Sequence, residues 1–285
     1  MKIAVIPNLS KQDAHNKTMQ IINKCRKFDA DILMESSFQD YFPNMEIDFR
    51  EDFSQMIEAC DVVIAIGGDG TIIHCAKHAA AADKPILGIN VGRLGFVAGL
   101  EMDELDYLKN LVDGNYSVEN RMMLSVLLER SGQTKTYYAL NDAVIARGSL
   151  SRIVDFKVSF NDNNVCDYRA DGLIIATPTG STAYSLSAGG PVIDPSMQCI
   201  ILTPICPHSL FTRTVVFGPD SKLNVLSKSN YDSEIFLTLD GETSVQIQNG
   251  ESIAFSSSKL VAKLIKLKHK NFYEVVNEKL AERRT

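Results

Sequence analysis

No apolar run in the 285 residues approaches the ~20 that a membrane-spanning helix needs, so no membrane role is expected. Basic excess is also missing. The 29 Lys and Arg residues are outnumbered by 35 Asp and Glu, a net charge of -6, and this argues against a nucleic-acid partner. Proline is sparse at nine residues, and 45% hydrophobic with 22% charged residues describes an ordinary globular chain rather than a disordered one. Neither an internal repeat nor a low-complexity tract is present. The cysteines Cys25, Cys60, Cys75, Cys166, Cys199 and Cys206 lie in apolar surroundings without a C-x-x-C pair, so reduced, buried thiols are expected. No secretion-type segment precedes the first strand pattern, which makes a cytoplasmic location the expectation.

Three common motifs are absent as well. Without G-x-x-x-x-G-K-[ST] the chain is not a Walker-type nucleotidase, and without G-x-G-x-x-G an ordinary dinucleotide oxidoreductase is disfavoured. Without G-x-S-x-G there is no nucleophile elbow for a serine hydrolase.

What is present is Gly67-Gly68-Asp69-Gly70-Thr71, directly after the branched apolar run Asp61 to Ile66 and before a helical pattern from Thr71 to Ala82. Glycines let the backbone turn sharply and leave its N–H groups open to an oxyanion, and the helix adds its positive end at the same place. Asp69 makes this more than a passive cradle. A carboxylate beside a polyphosphate is unfavourable unless it holds a cation or accepts a proton. His74 and His78 are spaced like zinc ligands on a helix, but no third ligand is evident nearby.

Along the chain, apolar strands alternate with helices as far as residue 98: a strand at Lys2 to Asn8, a helix at His15 to Lys27, strands at Ile32 to Met34, Asp61 to Ile66 and Pro85 to Asn90. Glu35 to Phe53 is expected to be a surface loop, and Met102 to Leu111 a helix. The alternation predicts an α/β N-terminal domain with a parallel sheet whose ligands bind beyond the strands' carboxyl ends. From about Ser117 the pattern becomes strand-like, with a hairpin turn at Asn161 to Asn164, and a last helical pattern runs from Asn271 to Arg283. The expected organisation is residues 1–98 joined by 267–285 as the α/β phosphate domain, and 99–266 as a β-rich C-terminal domain.

A second constellation begins at Asp171, where a buried strand feeds Thr177 to Gly190, fourteen residues of which eleven are Gly, Ser, Thr or Ala. Small hydroxylated residues suit hydrogen bonds to ribose and phosphate, and Tyr184 suits stacking on a base. The two stretches, with Leu140-Asn141-Asp142 and Thr203 to Leu210, resemble the NAD kinases over most of the chain. The glycine motif alone is shared with the wider diacylglycerol kinase-like superfamily; the Asp171 to Pro191 run is the more specific part.

That resemblance implies transfer of the ATP γ-phosphoryl group to the 2′-hydroxyl of the adenosine ribose of NAD, with Mg2+ or another divalent cation, in a homodimer or homotetramer. It implies Asp69 as catalytic base, and Gly67, Gly68, Gly70, Thr71 and His74 at the ATP phosphates. It assigns NAD to Asp69, Gly70, Phe96, Asn141, Asp142, Arg152, Arg169, Asp171, Thr179, Thr182, Ala183, Tyr184, Ser185, Leu186, Ser187 and Glu242. His74 and Glu242 depart from the family pattern, where Arg and Gln are frequent. The metal ligands are not assigned. Two other readings carry different expectations: a lipid kinase of the diacylglycerol kinase type, with an apolar acceptor surface, and a non-catalytic dinucleotide sensor.

Overall fold

A computed structural model describes residues 1–92, 95–130, 132–148, 153–161, 163–208, 213–228, 234–268 and 271–282. They form two compact units, Met1–Asn120 with Val261–Thr285, and Arg121–Leu260. The expected boundaries near 98 and 266 differ from this division because the chain passes from one unit to the other inside two long strands.

The first unit begins with β1 (Lys2–Pro7), α1 (Ala14–Lys27), β2 (Asp31–Glu35), β3 (Asp48–Arg50), α2 (Phe53–Ala59), β4 (Val62–Gly67), α3 (Asp69–Ala81), β5 (Pro85–Asn90) and α4 (Leu108–Val112). β4 is buried along its whole length and β1 and β5 nearly so. Such unbroken Val, Ile and Ala runs are what a parallel strand needs when both sheet faces are covered. The strands pair parallel in the order β5, β4, β1, β2, β3. After β1 the chain runs to one side through β2 and β3, then returns to the other with β4 and β5. The order therefore reverses between β1 and β4, and a crevice opens beyond their carboxyl ends.

α1 forms because Ala14, Thr18, Ile21, Ile22 and Cys25 recur on one face and are all buried, while Lys24, Arg26 and Lys27 complement the negative end of its dipole. α2 is capped by Asp52, whose carboxylate accepts from the Gln55 N–H at 3.0 Å. α3 lies close on the sheet: a Cβ at Gly88 would come within 2.5 Å of the Ile72 side chain. The core gathers Ile3, Val5, Ile21, Ile64, Ile66, Leu87 and Ile89 with Leu108 and Leu111 of α4.

Three local expectations change. Glu35 to Phe53 is not one loop: it holds a 3₁₀ turn at Ser36–Tyr41 and the edge strand β3, paired through Leu33↔Asp48 to Glu35↔Arg50. Asp48-Phe49-Arg50 carries one apolar residue, so its pairing is set by the sheet edge rather than by its own pattern. Met102 to Leu111 is a 3₁₀ turn, Met102–Tyr107, followed by α4. α3 starts two residues early, which makes Asp69 its first helical residue.

The β-rich unit contains β6 (Ser117–Arg130), β7 (Gln133–Ala139), β8 (Asp142–Arg147), β9 (Val154–Phe160), β10 (Asn163–Ala170), β11 (Gly172–Ala176), the short α5 (Tyr184–Ser187), β12 (Ile200–Ile205), β13 (Val215–Phe217), β14 (Leu223–Lys228), β15 (Ile235–Leu239), β16 (Thr243–Ile247) and most of β17 (Ser252–Lys266). The chain crosses between units inside β6 and β17, then ends in α6 (Phe272–Glu282), which belongs to the first unit. There β17 pairs parallel with β5 through Lys263↔Pro85 and Leu264↔Ile86. One antiparallel sheet runs β13, β12, β11, β8, β15, β16; β10, β9, β14 and β17 form another, alongside the β6–β7 hairpin. Leu173 and Ile175 of β11 join Ile145, Phe156, Val158, Leu202, Leu237 and Phe255 in the main core. The alternate residues Ile174 and Ala176 face a smaller cluster with Ile193, Cys199 and Ile201, the two-residue period of a sheet covered on both sides.

The hairpin expected at Asn161 to Asn164 is tighter than read, since Asn163 already pairs with Phe160 and Asp162 lies outside the described residues. Among the described cysteines, Cys25, Cys60, Cys75 and Cys199 are buried, but Cys166 is only half-buried and Cys206 is exposed, which corrects the expectation for those two. Among the described residues no helix is long and apolar enough to cross a membrane.

Ile64 sits fully buried at the centre of β4. Ile64→Ala should destabilise the α/β unit by about 2–5 kcal/mol in urea unfolding, the range for truncating a well-packed branched core residue; a loss below about 1 kcal/mol would show that the sheet core collapses around the gap.

Candidate functional site

In the α/β unit, Gly67 ends β4 and Gly68, extended at φ -97°, precedes α3. This places the Asp69 side chain and the free N–H groups of a 13-residue helix at the switch point between β1 and β4. Gly67 is required by close approach, because a Cβ there would lie 2.4 Å from Thr71 Oγ1. From β1, Asn8 completes the crevice: its backbone N–H donates to Ile66 O at 2.9 Å and its side-chain Nδ2 donates to Thr71 Oγ1 at 3.0 Å.

The Asp69 carboxylate is held from above by the segment after β5. Phe96 N–H donates to Oδ2 at 2.8 Å and Val97 N–H to Oδ1 at 3.2 Å. At 95 a Cβ would lie 2.1 Å from Asp69 Oδ1, so any side chain there must displace the carboxylate. The segment itself is fixed at both ends. Val91 N–H donates to Gly67 O at 3.1 Å, Lys17 Nζ to Val91 O at 2.8 Å, and Asn90 Nδ2 to Glu101 Oε2 at 2.8 Å. Burial pushes the Glu101 carboxyl above its ordinary range, against the lowering effect of that Asn90 hydrogen bond. Lys279 of α6 reaches the same carboxylate, with Nζ 3.8 Å from Oδ2 and 4.1 Å from the centre of the Phe96 ring.

Of the other predicted residues in this unit, Gly70 is exposed, Thr71 and Phe96 are half-buried, and His74 is exposed on α3, where its ring meets His78 edge-on at 5.0 Å. Among the described residues no group of three or more His, Cys, Asp or Glu side chains is placed to hold a metal ion.

In the β-rich unit, the turn before β8 is clamped on two sides. Asp240, in the β15–β16 hairpin at φ 50°, accepts three backbone donors: Leu140 N–H at 3.0 Å, Asn141 N–H at 2.7 Å and Asp142 N–H at 3.1 Å. On the other side Thr177 N–H donates to Asn141 O at 2.8 Å and Thr177 Oγ1 to Leu140 O at 2.6 Å. Gly180 packs so tightly that a Cβ would fall 2.0 Å from Asn141 O. The result is an Asn141 backbone held in place, with a side-chain Oδ1 that is buried and has no hydrogen-bond partner among the described residues. Such an acceptor suits a donor from a bound molecule. Asp142, 5% exposed, has its carboxyl pushed up to about 7 from 3.8, first by burial and second by the nearby Asp240 charge.

The hydroxyl-rich run splits between structural and accessible roles. Thr179, Thr182 and Ser185 are buried: Thr179 Oγ1 accepts from Arg121 Nη1 at 3.3 Å, Thr182 Oγ1 donates to Thr179 O at 3.3 Å, and Ser185 Oγ lies 2.9 Å from Thr203 Oγ1. Tyr184 is 46% exposed and Ser187 is exposed, with Ala183 and Leu186 between. Asp171 is bound by Arg147, whose Nε donates to Oδ1 at 2.7 Å. Arg169 is exposed on β10, its Nε 3.9 Å from Asp155 Oδ1. Glu242 is exposed in the β15–β16 turn, and Arg152 lies outside the described residues.

The fold is of the two-domain class in which an α/β unit with a parallel sheet is joined to a β-rich unit. Residues 5–116 match the ATP-NAD kinase N-terminal domain and residues 140–267 the ATP-NAD kinase C-terminal domain, so the chain belongs to the NAD kinase family. It is similar to an NAD kinase from Natranaerobius thermophilus, 38% identical and covering 98% of this chain and 97% of that one. An NAD kinase from Carboxydothermus hydrogenoformans is 41% identical, covering 81% and 83%. Among solved structures, an NAD kinase from Archaeoglobus fulgidus in complex with ATP matches at TM-score 0.76 and 25% identity over 99% of both chains. A yeast NADH kinase complexed with NADH matches at TM-score 0.89 and 21% identity over 99% of this chain and 87% of that one, a likeness of fold alone.

The Asp142 shift carries a sign that urea unfolding can test. A carboxyl that binds its proton more tightly folded than unfolded stabilises the fold fully below about pH 4, and that contribution is lost as pH rises through about 7. Between about pH 5 and about pH 8, wild type should lose more stability than Asp142→Asn; equal losses would contradict a proton held at Asp142.

Proposed function

We propose that the chain transfers the γ-phosphoryl group of ATP to the 2′-hydroxyl of the adenosine ribose of NAD, giving NADP and ADP. The observation that carries this reading is Asp69: a carboxylate fixed by two backbone donors at the glycine-lined start of α3, in a chain whose relatives are named NAD kinases. The bond that forms joins the ribose 2′-oxygen to the γ-phosphorus. The bond that breaks joins that phosphorus to the β–γ bridging oxygen, which leaves with ADP. The hydroxyl proton goes to Asp69. Because phosphoryl transfer is mostly positioning and charge stabilisation, one carboxylate and a cradle of N–H donors supply most of what the chain must contribute.

In this reading Gly67, Gly68, Gly70 and Thr71 bind phosphate oxygens through backbone N–H groups and the Thr71 hydroxyl, and His74 lies one turn along the same helix. The β-rich unit binds the dinucleotide. Asn141 offers a buried amide oxygen to a hydrogen-bond donor, and Tyr184 offers an accessible ring. Phe96, Asp142, Arg169, Asp171, Thr179, Thr182, Ala183, Ser185, Leu186, Ser187 and Glu242 remain its proposed neighbours by family resemblance. The Thr71 hydroxyl at the turn fits a Mg2+ ion held mainly by the phosphates of ATP. Such an ion would neutralise charge on the transferred group. A homodimer or homotetramer and a cytoplasmic location belong to the same proposal on the family resemblance. The lipid kinase and sensor readings find no support among the relatives, which are named NAD kinases.

Purified protein supplied with ATP, Mg2+ and NAD should form NADP, read by a dehydrogenase that uses only NADP. Asp69→Asn should lower turnover by about a hundredfold or more, within the range for removing a general base, while NAD affinity stays within a few-fold. No NADP from wild type that binds NAD would favour the sensor, and full activity in the variant would remove Asp69 as base.

A further inference from the structure

Two segments far apart in sequence meet at Asp69: the turn after β5 gives two N–H donors, and α6 gives Lys279 from its last turn. The lysine is not a loose surface charge. Its side chain is 19% exposed and its ammonium lies over the Phe96 ring, the residue whose own N–H binds the carboxylate. At 3.8 Å the Lys279–Asp69 pair is longer than a hydrogen bond, so the contact is electrostatic and the ammonium keeps donors for another oxygen.

A polyphosphate arriving at Gly67 to Thr71 brings several negative charges beside Asp69. Backbone N–H dipoles already used by the carboxylate do not offset that repulsion, and a full positive charge nearby does. On the phosphotransfer reading above, we propose that Lys279 is the counter-ion of Asp69 and a determinant of ATP binding supplied by the last helix. It balances the carboxylate as the triphosphate enters and then donates to a phosphate oxygen. The role is separable from chain folding because it depends on the charge at residue 69.

Calorimetric titration of ATP, at fixed Mg2+, into the full-length protein and its variants tests this. Lys279→Met should weaken ATP binding by about tenfold, the scale of one exchanged charge interaction, with NAD binding within about twofold. Lys279→Arg should stay within about threefold of wild type, as a retained charge requires. The double variant Asp69→Asn with Lys279→Met should bind ATP at least about fivefold tighter than Lys279→Met alone, because the repelling charge has gone too. A folded Lys279→Met with wild-type ATP affinity, or a double variant no better than the single one, overturns the proposal. If Lys279→Met does not fold, Asp69→Asn alone decides: ATP should bind more tightly once the lysine is released to the phosphates, and unchanged or weaker binding overturns the proposal. A wild-type protein that binds no ATP removes the phosphotransfer reading itself, whereas ATP binding that ignores Lys279 removes this inference alone.

Discussion

The α/β unit depends on a carboxylate bound by backbone. Asp69 receives the N–H groups of Phe96 and Val97, and the approach is close enough that a Cβ at residue 95 would push the carboxylate aside. That grip couples two loops at the carboxyl end of the sheet, the one after β4 and the one after β5. The second loop is in turn tied back by Asn90 to Glu101 and by Val91 to Gly67. A side chain on a free glycine turn would sample many rotamers; here the sheet, the helix start and a returning segment leave the carboxylate little freedom. Fixed donors and a fixed acceptor are what a reaction governed by positioning requires.

The β-rich unit solves a similar problem with the roles reversed. There a side-chain carboxylate, Asp240, gathers three backbone N–H groups of the Leu140 to Asp142 turn, and Thr177 and Gly180 close on the turn from the opposite side. Asp240 adopts a left-handed backbone conformation that aspartate tolerates better than most residues. The consequence is that the backbone of Asn141 is held in place with its amide oxygen buried, while Asp142 is left buried beside the Asp240 charge, which favours its protonated form.

The parts that were legible in sequence are those in which local pattern and chemistry coincide. The run Asp61 to Ile66 followed by glycines and Asp69 reads as a buried strand leading into a helix, which begins two residues before the Thr71 expected, and Asp171 to Gly190 reads as a strand feeding a hydroxyl-rich turn. What escaped depends on contacts between distant residues. Asn8 reaches Thr71 only because β1 neighbours β4, and strand order is not written in any single strand. Gly95 reads as an ordinary loop glycine until Asp69 is seen against it. Lys279 sits in a plain amphipathic helix, and Asp240 in an Asp-Gly pair that looks like a turn. β3 is too polar to show as a strand in its own pattern, and the start of β8 is hidden in an Asn141-Asp142 pair that reads as a turn.

The most direct measurement of the central claim is turnover by Gly95→Ala, which leaves every polar group of the site in place and adds one methyl group against the Asp69 carboxylate. If the grip of residues 96 and 97 sets the carboxylate for proton transfer, NADP formation should fall by about tenfold or more with the thermal midpoint changed by only a few degrees, as displacement of a catalytic group by about an ångström predicts. Wild-type turnover in a folded Gly95→Ala protein would contradict the account.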